Sequence, residues 1–170
     1  KKLGEYLVQE LKAMGLSDAT MDQYGYVTAT LPANTEKPVP TIGLIAHLDT
    51  SPDVSGKDVK AIIHKSYQGG DIVLPGDDSS QVIRFQETPA LADQIGNDII
   101  TSDGTTLLGA DNKAGIAEIF DAINYFVEHP EVKHGKIRIA ITPDEEVGEG
   151  TKYFDIKAFG ADYAYTIDGE

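Results

Sequence analysis

The chain has 170 residues and a mass of 18.3 kDa, with 41% apolar and 25% charged residues, an ordinary globular balance with room for a sizeable core. A formal net charge of −14 argues against nucleic acid or an anionic membrane surface as a partner, since both reward positive charge. The absence of cysteine excludes disulfides, a thiolate nucleophile and sulfur-ligated zinc, so any metal site must be built from nitrogen and oxygen.

Leu3, Leu7, Leu11 and Met14 recur at helical spacing, and Gly15 follows as a stop, which predicts an amphipathic first helix. "YGYVTATL" (24–31) reads as a strand, and "TIGLIAHLDTSP" (41–52) as a second one ending on an imidazole and a carboxylate. Residues 51–104 are rich in Gly, Pro, Asp and Ser, with short strand-like pieces in "DIVLP" and "QVIRF". "NDIITSDGTTLL" (97–108) predicts a hairpin around Asp103-Gly104. In "GADNKAGIAEIFDAINYFVEHP", Ile116, Ile119, Phe120, Ile123 and Phe126 share one helical face, and Pro130 marks the end. "KIRIAITPDEEVGEG" (136–150) begins as a strand with Ile137, Ile139 and Ile141 on one side and runs into an acidic turn. "ADYAYTIDGE" (161–170) is a further strand ending in Asp168 and Glu170. No apolar run approaches the roughly 20 residues of a membrane span.

Strands alternating with helices predict an α/β sandwich with a largely parallel sheet. Ligands of such sheets bind beyond the carboxyl ends of the strands, and here three strands and one helix start carry donors at that position. His47 and Asp49, at i and i+2, project to one side of a strand; Asp49 is a candidate to fix the imidazole tautomer. Asp111 fits either a helix N-cap or a carboxylate bridging two cations. Glu145 and Glu146 fit either an acidic helix start or a ligand beside a general base. Asp168 fits a ligand or a turn former. His64 reads as a loop residue, His129 and His134 as flanks of the helix end, and Lys113 as a solvated charge. No phosphate-binding glycine motif and no G-x-S-x-G serine setting are present.

The segments "HLDTSPDVSGKDV", "GGDIVLP", "TTLLGADNKAGIAEI", "TPDEEVGEGTKYFD" and "AYTIDGE" resemble the tripeptide aminopeptidases of the dinuclear-zinc aminoacylase/carboxypeptidase metallopeptidase family. The resemblance covers essentially the whole chain, with Asn112 standing where many members have a second aspartate. It implies that His47 and Asp168 are ligands of a first zinc, Asp111 the bridging carboxylate and Glu146 a ligand of the second zinc. It gives Asp49 the support of His47 and Glu145 the general base and acid for attack of a zinc-bridged water on a peptide carbonyl. Two Zn2+ per complete subunit, short peptides with a free N-terminus as substrates and a cytoplasmic location follow from the same resemblance. So do a three-layer α/β/α sandwich with a mixed, largely parallel sheet, incomplete in this chain, and the expectation that residues 1–170 are the N-terminal part of the catalytic domain. A lid domain that forms a homodimer, a last histidine ligand and the remaining sheet would then lie outside it, leaving these residues alone inactive. Dipeptidases, carboxypeptidases and deacylases of the same superfamily would use the same metal ligands, so these residues do not separate them.

Overall fold

Helix α1 (Lys2–Ala13) forms where the leucine stripe predicts it, burying Gly4, Leu7 and Leu11. Its exit turns through Gly15, whose φ of +96° suits a residue without a Cβ. The chain is described here from a computed structural model that covers residues 1–76 and 81–169; Glu170 lies outside the described residues. Contacts divide it into two units, Lys1–Ser51 with Ala110–Glu170, and Pro52–Gly109.

The first unit is built on a five-stranded sheet. It holds β1 (Thr20–Met21), β2 (Val27–Leu31), β3 (Ile42–His47), β8 (Ile137–Thr142) and β9 (Tyr163–Thr166), in the order β1-β2-β8-β3-β9. The sheet is mixed, as expected: β3 is parallel to both β8 and β9, while β2 pairs antiparallel with β8 and with β1. Register explains the core. Val27, Ala29 and Leu31 lie opposite Ile141, Ile139 and Ile137, which lie opposite Ala46, Leu44 and Ile42. Because side chains alternate across a sheet, these nine form one apolar face. That face joins a core with Leu7, Leu11, Ile116, Ile119 and Ile123, so α1 and the long helix α2 (Ala110–Glu128) cover it together. The other face carries Thr30, Arg138 and Gly43 in one row. Phe159, from the short helix α3 (Ile156–Phe159), packs there: a Cβ on Gly43 would lie 2.6 Å from its ring. Arg138 Nε donates to the Phe159 carbonyl at 2.7 Å.

The second unit has two small antiparallel pairs, β4 (Ile62–His64) with β7 (Ile99–Thr101) and β5 (Ile72–Val73) with β6 (Val82–Ile83). Tyr67, Ile72 and Leu91 are its buried apolar residues. Two sequence expectations are corrected here. His64 belongs to strand β4, its Nε2 lying 3.0 Å from Thr101 Oγ1. The hairpin around Asp103-Gly104 does not form: Ile99–Thr101 pairs with Ile62–His64, and Thr105–Leu108 is not strand. The Asp103 carboxylate instead turns the chain on itself by accepting from Thr105 N (2.9 Å) and Thr105 Oγ1 (2.5 Å). Those bonds to the ionised form hold Asp103 down at about 2, and the side-chain turn replaces strand pairing.

Candidate metal centre

Strands β8, β3 and β9 are adjacent and parallel, so their carboxyl ends open on one edge of the sheet, where ligands of α/β folds bind. His47 is the last residue of β3 and is buried at 3% exposure. Asp168 follows β9, and Glu145 and Glu146 sit in a 3-10 turn after β8. The chain reaches that turn through Asp144 in the left-handed region, at φ +59°, which aspartate tolerates better than most residues. Asp111 lies at the start of α2, joined by a cis peptide to Asn112, ahead of the regular helical turns.

These elements bring the donors together. His47 Nε2 lies 2.9 Å from Asp111 Oδ1, 3.7 Å from Glu145 Oε2 and 3.7 Å from Asp168 Oδ2. Donor atoms of His47, Asp111 and Asp168 all fall within 4.8 Å of one another. On the other side of the ring, Nδ1 is 3.2 Å from the Asp49 carbonyl and 3.4 Å from Asp49 Oδ1. An Nδ1–H donated to Asp49 leaves the Nε2 lone pair facing three carboxylates. In that tautomer, lone pair and carboxylates repel unless a cation stands among them, so this nitrogen–oxygen donor set fits a divalent metal; in the other tautomer Nε2–H donates to Asp111.

Asp49 also meets the acidic turn directly. Its Oδ1 accepts from Glu145 N at 3.2 Å and its Oδ2 from Glu146 N at 3.1 Å. One carboxylate therefore ties the end of β3 to the turn after β8. The structure fixes the main chain of Glu146 in this way; among the described residues, its carboxylate is not within 4 Å of the His47 ring nitrogens.

Two residues have roles that the sequence reading did not assign. Asn112, not Asp111, caps α2: its Oδ1 accepts from Gly115 N at 3.1 Å, while its Nδ2 donates to the Ile167 carbonyl at 2.7 Å. Asn112 is 1% exposed, and its two bonds lock the start of α2, which carries Asp111, to the exit of β9, which carries Asp168. The signal was present in Asn112-x-x-Gly115, an Asn three residues before a helical amide. Gly115 is required there, because a Cβ would lie 2.3 Å from the Ile167 carbonyl and 2.4 Å from Asn112 Oδ1. Lys113 is half-buried rather than solvated; burial pushes its ammonium below the ordinary value, while the charges of Asp111, Asp49 and Glu146 pull it back up. It is a positive charge among carboxylates.

No protein-family model matches the chain. It is 58% identical over 167 residues to a peptidase T of Bacillus pumilus, covering 98% of this chain and 40% of that relative. The chain thus spans about two fifths of the length of the curated relatives it matches. Among solved structures, it superposes on the aminopeptidase PepT of Bacillus cereus with a TM-score of 0.70 at 28% identity, over 98% of this chain and 37% of that one. A tripeptidase of Staphylococcus aureus gives a TM-score of 0.69 at 27% identity, with the same coverage. The peptidase T likeness therefore extends along essentially the whole chain, in sequence and in fold.

Proposed function

We propose that this chain, a peptidase homologue by its likeness to peptidase T, carries the metal-binding part of a zinc aminopeptidase that releases the N-terminal residue from tripeptides. The observation that carries the reading is the buried His47 Nε2 facing the carboxylates of Asp111, Asp168 and Glu145. In this reading His47 and Asp168 would hold one zinc ion, Asp111 would serve both ions, and Glu146 would belong to the second. Bound zinc supplies Lewis acidity, polarising a peptide carbonyl and making water a stronger acid.

The chain's own residues do the rest. Asp49 orients the His47 ring from the Nδ1 side and holds the acidic turn through two amides. Glu145 Oε2 accepts the proton that the attacking water loses and returns it to the leaving amine nitrogen. Its carboxylate stands 3.7 Å from His47 Nε2 and is half exposed, so it is within reach of both a substrate and the cation site. Asn112 and Gly115 keep the Asp111 and Asp168 segments in register.

In the same reading, residues 1–170 are the N-terminal portion of a larger catalytic domain; the share of the relatives' length that the chain spans supports this. A lid domain, a further histidine ligand and a homodimer contact would come from sequence beyond these residues, and the chain by itself would be inactive. A cytoplasmic location belongs to the same reading, through the likeness to peptidase T. Among the described residues, no helix is long and apolar enough to cross a membrane.

The test uses the complete zinc-loaded protein with tripeptides and their N-acetylated forms, in wild type and Glu145→Gln. We expect cleavage of the free tripeptides only, and a fall in turnover of roughly 10²–10⁴-fold in the variant with metal content unchanged. Equal cleavage of blocked and free peptides would refute the aminopeptidase reading, and full activity of the variant would remove Glu145 from its role.

A further inference from the structure

The acidic turn is held at two places, and only one of them is in the site. Near the site, the Asp49 carboxylate accepts from Glu145 N and Glu146 N. Within the turn, Gly148 N donates to the Glu145 carbonyl at 2.8 Å and Glu149 N to the Asp144 carbonyl at 2.9 Å. The far end comes back against the near end at Gly150. A Cβ there would lie 3.3 Å from Glu145 Cα and 3.5 Å from Glu145 N, so the backbone at Gly150 runs directly against that of Glu145.

Gly150 is in turn held by Tyr26, just before β2. The phenol is buried at 4% exposure. Its hydroxyl donates to the Gly150 carbonyl at 3.0 Å and accepts from Tyr153 N at 3.3 Å. Both bonds go to the backbone that leaves the turn. Tyr26 is itself fixed by an aspartate turn, in which Asp22 Oδ1 accepts from Tyr24 N (2.9 Å), Gly25 N (2.9 Å) and Tyr26 N (3.0 Å). Tyr24 adds a second hold by stacking on Tyr153, with ring centroids 4.2 Å apart and planes 7° from parallel.

We propose that Tyr26 is a positioning residue for the proposed hydrolysis: its hydroxyl clamps the 150–153 backbone and thereby holds the Glu145 carboxylate at His47. The inference rests on the proposed role of Glu145. Among the described residues, the Tyr26 hydroxyl bonds to Gly150 and Tyr153 and to no member of the donor cluster, so its effect passes through the turn. Tyr26→Phe removes the hydroxyl alone and leaves the ring beside Phe154, at 5.6 Å between centroids.

The experiment compares wild type and Tyr26→Phe by residue-resolved amide hydrogen exchange on this chain, and by steady-state kinetics on the complete protein. We expect exchange at the Glu145 and Glu146 amides to quicken tenfold or more while exchange at Ile139, in the sheet core, stays unchanged. In the complete protein kcat should fall about tenfold with KM for the tripeptide held. Unchanged exchange at Glu145 and Glu146, quickening spread equally to Ile139, or a loss confined to KM would each overturn the proposal. Gly150→Ala, which crowds Glu145 while leaving the phenol in place, should loosen the same two amides; it decides the matter should Tyr26→Phe not fold, and unaltered exchange there would overturn the proposal as well. If the wild-type complete protein cleaves no tripeptide, the proposed function fails, whereas the exchange comparison still decides whether Tyr26 holds the turn.

Discussion

In the unit formed by Lys1–Ser51 and Ala110–Glu170, apolar side chains line one face of strands up to six residues long and meet two helices. Among the described residues of the unit Pro52–Gly109, no strand exceeds three residues, and carboxylates set turns. Asp71 accepts from Phe85 N at 2.9 Å, Asp98 from Ser66 N at 2.9 Å, and Asp103 from Thr105. The first unit also has turns held by carboxylates, at Asp22 and Asp49, but adds to them a large apolar core whose burial is insensitive to pH. The second leans on hydrogen bonds to ionised groups, which acid removes. The contrast bears on function, because every proposed ligand lies in the unit held by burial, where packing can keep donor atoms in place.

Truncating a central side chain in each unit should sharpen that difference. Ile139 is fully buried on the shared face of β2, β8 and β3, and Ile139→Ala should cost about 4 kcal/mol. Leu91, in the small cluster with Tyr67 and Ile72, should cost about 2 kcal/mol on the same change, since a slight cluster relaxes more readily around a gap. Urea unfolding of both variants measures this; equal losses would mean that the small cluster is packed as tightly as the sheet core.

A smaller effect concerns acid. Asp103 is held at about 2, below its unfolded value near ~3.9, so the unfolded chain binds the extra proton in the interval between them. Its contribution to stability is therefore complete above about pH 4 and is lost as pH falls through about 2. In Asp103→Asn that part of the acid dependence should disappear. Denaturation midpoints of the variant should fall less steeply than those of wild type between pH 4 and pH 2. A variant that tracks wild type across the interval would remove Asp103 from the account of this unit.

The same contrast governed what could be read from the residues alone. Leu7 and Leu11, Ile116 to Ile123, and the alternating isoleucines of β8 announced α1, α2 and a core strand, because period and burial agree over many residues. The short β1, the pairing of Ile99–Thr101 with Ile62–His64, and the turn at Asp103 were not legible. Two- or three-residue strands carry little periodicity, and a dipeptide suited to a hairpin gave way to an aspartate side chain that captured its own neighbours. At the candidate centre, residue types at strand ends pointed to His47, Asp111, Glu145 and Asp168, which the fold gathers around one imidazole. Asp49 emerged with a second task, the anchoring of the acidic turn. Asn112 showed itself only as a substitution in a family pattern, and Tyr26 not at all. Its bond to Gly150 spans 124 residues, a separation that no local pattern encodes.

The central claim is that His47 stands in a cation site. Calorimetric titration of zinc into the metal-free chain, wild type beside His47→Ala, tests it most directly. We expect saturable zinc binding by the wild-type chain and at least a hundredfold weaker binding in the variant. Absence of zinc binding in wild type, or equal affinity in the two proteins, would contradict it.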